Sequence, residues 1–408
     1  MSYTEKANDV RKSLSRFDKN SFFLEVIQLL HAPEYESIDR LRKFPWLCLL
    51  LIEWLYQSKD SPGQVIATRK DVEKIINRMH ELQGEAVRFR HEGGVDLEMR
   101  KMVISQTWFQ KNAVTNCFDL IRIYVILVYK NGGVVYRERF FKTVGVKLDD
   151  YFILSLWLLM RLDGNCHKLG FQRAVIELSP HYDIKTICNF FRSLGNSFDN
   201  LTHFFSAFFS ESTLRDSYFD MPKLCRAPAV FMADEVVVPH NVIIRESLPF
   251  KPLSLIDINC HESMKRRFTQ DFESYLGDII KENGNICLSE DDVLDIYKRK
   301  GTEGKVVDYI VHDEDGMVFI DAKGIEPHKK VRVSDNPEVL MHRINRSILR
   351  AVRQAYECSR LLDLVSDTTV PNPSNRYCLV VTLKSFYLQN GRKVKANIAE
   401  DFFTSLNP

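Results

Sequence analysis

The stretch VVDYIVHDEDGMVFIDAKG, residues 306–324, decides how the C-terminal part of this chain is read. Two β-like apolar runs, KVVDYIVH and MVFIDAK, flank Asp315-Gly316. An Asp-Gly pair in that setting is a strong hairpin signal, because a type I′ turn needs positive φ at both central residues. A two-residue loop there pairs Ile310 with Asp321 and Asp308 with Lys323, whereas a four-residue loop, Asp313 to Gly316, sets Asp308 opposite Asp321. Side chains alternate along a strand, so either loop puts Asp308, Asp321 and Lys323 on one face; a three-residue loop would separate them. Two carboxylates about 5–8 Å apart on one face repel unless a positive charge joins them. Lys323 supplies part of that charge. A divalent cation would supply the rest, since Mg²⁺ needs only one or two carboxylates beside waters and phosphate oxygens. The pattern suits metal-assisted hydrolysis of a phosphodiester.

SMKRRFTQDFESYLGDIIKE (263–282) has helical periodicity, and Gly284 is a plausible stop. A strand or short irregular segment is expected around NICLSEDDVLDIY. The hairpin comes next, then a long helical pattern over 337–365, then a strand over 376–388. The order is α-β-β-β-α-β, and the helix before the last strand is long enough for a parallel crossover.

Asp308, then Asp321-Ala322-Lys323 thirteen positions on, in this order of elements, resembles the PD-(D/E)xK nuclease superfamily, the restriction-endonuclease-like fold. The first acid stands in Val-Val-Asp rather than Pro-Asp, a departure from the family pattern. The resemblance covers roughly 260–390. It implies an αβββαβ core in which Asp308 and Asp321 bind Mg²⁺ or Mn²⁺ with the backbone carbonyl of Ala322, and Lys323 positions or activates the attacking water. It also implies that Glu273, in the Phe-Glu context of the first helix, is a metal-binding or neighbouring acid. Gln354, on the helix after the third strand, would orient a site group or touch substrate. Such nucleases occur with unrelated N-terminal sensors in prokaryotic anti-phage systems, and many dimerise; a homodimer or a partner protein is therefore an open expectation, on analogy alone.

Arg343, Arg346, Arg350 and Arg353 recur at helical spacing and form one stripe on an ideal helix. Between Lys323 and Arg360, nine Lys or Arg stand against four Asp or Glu. A basic surface of this kind is what contact with a DNA or RNA backbone uses, and Lys329, Lys330 and Arg332 in PHKKVRV extend it. A solvated helix face is the competing reading of the same residues.

The remainder of the chain narrows the choices. Its 408 residues predict two or three domains. Residues 1–215 read as a helical recognition or regulatory region, 216–258 as a proline-punctuated, β-rich junction, and 259–408 as the nuclease-like domain; the fold class is α+β overall. Lys and Arg total 56 against 54 Asp and Glu, so any electrostatic footprint must be local. The nine cysteines include no Cys-x-x-Cys pair, and Cys166, His167, His181 and Cys188 match no zinc spacing. The polar opening segment lacks a signal-peptide core, and the apolar runs 44–56 and 151–160 are shorter than the ~20 residues of a membrane span. Buried helices and a cytoplasmic protein without membrane partners are the expectation. No phosphate loop, nucleophile elbow or His-Glu-x-x-His pair is present. Two other readings stay open: a non-catalytic nucleic-acid-binding or protein-interaction module on a degenerate nuclease fold, and a helical assembly protein in which the hairpin is incidental.

Overall fold

The computed structural model describes all residues except 1, 34, 36–38, 58–62, 88–93, 108, 110–112, 163–166, 210–214, 259–260, 285, 366–370, 372 and 407–408. The chain is α+β and divides into two units, one built from 1–89, 101–124 and 134–257, the other from 90–100, 125–133 and 258–408.

In the first unit the helical periodicities are realised. Lys19–Leu30, Arg69–Ala86 and Ile184–Leu194 are helices, and Asp183 caps the last by accepting from the Thr186 amide at 2.7 Å. Pro45–Gln57 is almost wholly buried, as the apolar run 44–56, broken only by Glu53, requires. Leu148–Arg161 is buried on one side only, with Ile153, Leu156 and Met160 exposed. Among the described residues no helix is long and apolar enough to cross a membrane. Of the residues considered for zinc, Cys166 lies outside those described, and the His167 ring stacks on His31 at 4.2 Å.

The 216–258 segment departs from the β-rich expectation. β1 (Lys168–Gly170), β2 (Gly195–Ser197), β3 (Ala229–Met232) and β4 (Glu235–Val237) form a small mixed sheet in the order β1-β4-β3-β2. NVIIRE, however, opens a helix, Asn241–Leu255, that carries Pro249 and Pro252 inside it. Val242, Ile243 and Ile244 are all buried there. A helix apolar on every side has no 3.6-residue pattern, so a short β-branched run in it reads as a strand.

In the second unit the chain passes through α1 (Glu262–Glu282), β5 (Cys287–Ser289), α2 (Glu290–Arg299), β6 (Tyr309–His312) and β7 (Gly316–Lys323). It continues through α3 (Lys329–Val333), α4 (Pro337–Ile344), α5 (Arg350–Val365), β8 (Asn375–Thr382), α6 (Gly391–Asn397) and α7 (Glu400–Leu406). The sheet order is β5-β6-β7-β8, antiparallel except for the parallel β7–β8 pair. Gly284 stops α1 with φ of +70°.

Three details differ from the sequence-based expectation. First, the stretch NICLSEDDVLDIY, expected as a strand or a short irregular segment, holds the short strand β5 and then the helix α2; Ser289 and Asp292 close a capping box at the start of α2. Second, the 337–365 helix is interrupted by a π-helical turn at Asn345–Leu349. Third, the last strand ends at Thr382, short of 388.

One face of the sheet packs against α2 and α5: Ile310, Met317 and Phe319 share a core with Val293, Ile296, Ala355 and Cys358. The opposite face takes α1. The Tyr309 hydroxyl donates to the Glu273 carbonyl at 3.1 Å, and a Cβ on Gly277 would lie 2.2 Å from that hydroxyl oxygen. A second core joins Val331, Leu340, Ile344 and Leu349 to Phe386, Val394 and Phe402.

Candidate functional site

The hairpin register is that of the four-residue loop. Tyr309 pairs with Ile320 and His312 with Met317, so continuing the ladder sets Asp308 opposite Asp321 rather than Lys323. The Asp313 side chain selects this register. Its carboxylate accepts from the amides of Asp315 at 2.9 Å and Gly316 at 2.8 Å, while its own amide donates to the Gly316 carbonyl at 3.0 Å. Neither Asp315 nor Gly316 has the positive φ that a type I′ turn requires.

Asp308, Asp321 and Lys323 therefore stand together on the face that carries Ile310 and Phe319. Asp321 is 1% exposed. Its Oδ1 is ion-paired with Lys323, and its Oδ2 has no hydrogen-bond partner among the described residues. Asp308 is partly buried, and its Oδ2 accepts from the Ala322 amide at 2.5 Å. The Leu383 amide donates to the Lys323 carbonyl, which places that carbonyl on the β8 side of β7. The Ala322 carbonyl, one residue earlier in an extended strand, then points toward Asp308.

Burial, and then the charge of Asp321, push the Asp308 carboxyl up to about 6. Burial also raises Asp321, opposed by Lys323 and by Arg350. Glu273 comes from the helix on the other face; burial and the charge of Asp308 push it up to about 7. These four groups are thus brought within each other's field.

Gln354 is placed differently. Its Nε2 donates to the Val306 carbonyl at 3.2 Å, so it braces the segment entering Asp308. The single arginine stripe is also broken. The π turn holds about 4.4 residues instead of 3.6, which rotates the succeeding helix by roughly 90°. Arg343 and Arg346 then lie on one course and Arg350 and Arg353 on another. Arg350 acts on Asp321, Arg343 acts on His328, and the Arg353 guanidinium sits 5.0 Å from the Phe402 ring centroid.

Lys329, Lys330 and Arg332 fall in α3, where Arg332 donates to the Pro327 carbonyl at 3.1 Å. This segment is held from below by Arg100, whose buried guanidinium donates to the carbonyls of Val331, Ser334, Phe386 and Tyr387.

Glu290 belongs to this neighbourhood and escaped the sequence reading. It opens α2, its carboxyl is raised by partial burial and by Asp291 and Asp321, and it interacts with Lys323. The Ser289-x-x-Asp292 cap was the available signal, since it fixes where the strand ends and the helix begins.

Among the described residues no three His, Cys, Asp or Glu side chains are grouped so as to hold a metal ion unaided. Two carboxylates and a carbonyl nevertheless suit Mg²⁺, which keeps several waters. The sealed, unpartnered Asp321 Oδ2 is the kind of oxygen such an ion would take. No protein-family model matches the chain, and neither the curated proteins nor the solved structures contain a match to it.

Proposed function

We propose that the second unit is a metal-dependent nuclease that hydrolyses phosphodiester bonds of DNA or RNA, with a restriction-endonuclease-like core. One observation carries this reading: Asp308 and Asp321 stand opposite each other with Lys323 on the same face, and an oxygen of the buried Asp321 has no partner among the described residues. A buried carboxylate left in that state is costly unless it has work to do.

Asp308 and Asp321, with the Ala322 carbonyl, would hold Mg²⁺ or Mn²⁺. Such an ion, when bound, lowers the pKa of a coordinated water and offsets charge developing on the phosphate. Lys323 presents an ammonium beside Asp321, where it orients a water or stabilises the departing negative charge. Glu273, pushed up to about 7, can take and return a proton near neutral pH. Arg350, Arg343 and Arg346 would contact backbone phosphates. The first unit serves as a sensor or recognition part in this reading, as in an anti-phage effector, and a homodimer or partner protein would fit that role.

The test incubates the full chain with plasmid, single-stranded DNA and RNA in Mg²⁺, Mn²⁺ or EDTA. Cleavage should require the cation. It should fall by at least about 100-fold in Asp321→Asn and Lys323→Met, as loss of a group acting in the transition state does. Cleavage that survives both substitutions with unchanged rate would sink the proposal.

A further inference from the structure

A groove of about 700 Å³ lies within the first unit, in the size range of small-molecule sites. One wall is a single face of the helix Leu148–Arg161, along which Asp150, Ile153, Trp157 and Arg161 follow at helical spacing. The other wall includes Glu177, in the last turn of the helix Phe171–Leu178, and Tyr182 just after it.

The charges of this groove are unequally matched. Glu177 takes Arg161 at 2.8 Å and Arg173 at 3.1 Å. Asp150 stands eleven residues before Arg161, about 16 Å back along the helix axis. It has neither an ion pair nor a hydrogen bond among the described residues, and Lys147 acts on it only through its charge. Its neighbour Asp149 is already taken by Arg137 at 2.8 Å. Partial burial raises the Asp150 carboxyl, and burial with the charge of Asp150 raises the Tyr182 hydroxyl, so these two groups share a field. The Trp157 ring is held edge-on to Phe191 at 6.4 Å, and Ile153 beside it is 57% exposed. An uncommitted carboxylate next to an aromatic and an aliphatic surface is what a cation with an apolar stem requires. A neutral apolar occupant would cover Asp150 without giving it a partner, at a cost.

We propose that this groove binds an organic cation, an ammonium or guanidinium on an apolar stem. Asp150 and Tyr182 take the charged head, and Ile153 and Trp157 take the stem. A free amine and a Lys or Arg side chain of a partner protein share this chemistry. The site stands independently of the nuclease reading.

The experiment measures binding of n-butylguanidinium, uncharged n-pentanol and N-acetyl-arginine amide to the full chain by saturation-transfer NMR and titration calorimetry. It compares the unmodified protein with Asp150→Asn, Asp149→Asn and Trp157→Leu, with thermal melts as the fold control. Butylguanidinium should bind saturably and pentanol should not. Asp150→Asn should weaken butylguanidinium by about 10-fold or more, as loss of a hydrogen-bonded charge does. Trp157→Leu should weaken it by about 2–5-fold, and Asp149→Asn should leave it nearly unchanged. Arginine amide binding more tightly than butylguanidinium would support the site with a partner's side chain as its occupant; weaker binding would support it with a free cation. No saturable binding to the unmodified protein, pentanol binding as well as butylguanidinium, or equal loss in Asp149→Asn and Asp150→Asn would overturn the proposal. Unchanged affinity in Asp150→Asn with a lower melt would overturn it too, leaving that acid to the helix start alone.

Discussion

Asp308 stands opposite Asp321, and its protonation is tied to the stability of the folded chain. Burial and Asp321 push its carboxyl up from an ordinary 3.8 to about 6, so the folded chain binds this proton more tightly than the unfolded chain does. The stabilisation from the bound proton is therefore full below pH 3.8 and is lost as pH rises through about 6. Asp308→Asn removes the charge and keeps an oxygen for the Ala322 amide. In EDTA it should raise the melting temperature by roughly 2–6 °C near pH 7.5, and by markedly less near pH 4.5, in circular-dichroism melts. Equal shifts at both pH values would mean that removal of charge is not the source of the variant's added stability. The acids and the lysine were legible at this scale because D-x-K and the facing Asp sit inside apolar runs, where a charge stands out. Glu290 was not legible, because one acid among Glu290, Asp291 and Asp292 looks like ordinary helix-start chemistry until the β5–β6 register is known.

Elements carry these residues to the site, and close approaches set their placement. α1 can lie against β6 only because Gly277 has no side chain: a Cβ there would stand 2.2 Å from the Tyr309 hydroxyl oxygen and 2.6 Å from the ring carbon bearing it. Tyr309 in turn donates to the carbonyl of Glu273, one helical turn before Gly277. Gly277→Ala should therefore push α1 away and take Glu273 with it. Urea unfolding should show a loss of about 1–3 kcal/mol, the usual range for overpacking, and the cleavage proposed above should fall with it. Stability equal to that of the unmodified protein would mean the ring swings aside and α1 stays in place. The helix itself, its glycine stop, the hairpin and the parallel β7–β8 pair were readable from periodicity and turn residues. Three things were not. The loop register depends on one side chain, Asp313, capturing two amides. α2 comes after a three-residue strand too short to show alternation. The π turn in the middle of a good helical pattern leaves no mark on apolar spacing that a straight helix would not also leave.

Across the whole molecule the charges nearly cancel, with 56 basic and 54 acidic residues, so attraction to a polyanion must come from where the cations lie. The interrupted helix sorts them. Arg343 acts on the α3 segment through His328 and Arg350 acts on Asp321, whereas Arg353 lies over the Phe402 ring as part of the packing beneath. Arg346 is exposed. If this surface carries the nucleic acid, each arginine that touches a phosphate adds about 0.7–0.9 to the slope of log affinity against log salt. Fluorescence anisotropy with labelled DNA and RNA, in an Asp321→Asn background that does not cut, measures that slope. Replacing Arg343, Arg346 and Arg350 together by Gln should lower it by about 2–3. Arg353→Gln should leave the slope unchanged and lower the melting temperature, since its guanidinium is occupied by an aromatic face. A slope that ignores the triple substitution, or falls equally on Arg353→Gln, would move the nucleic-acid surface away from α4 and α5 and remove the reason for placing the scissile phosphate beside Asp321.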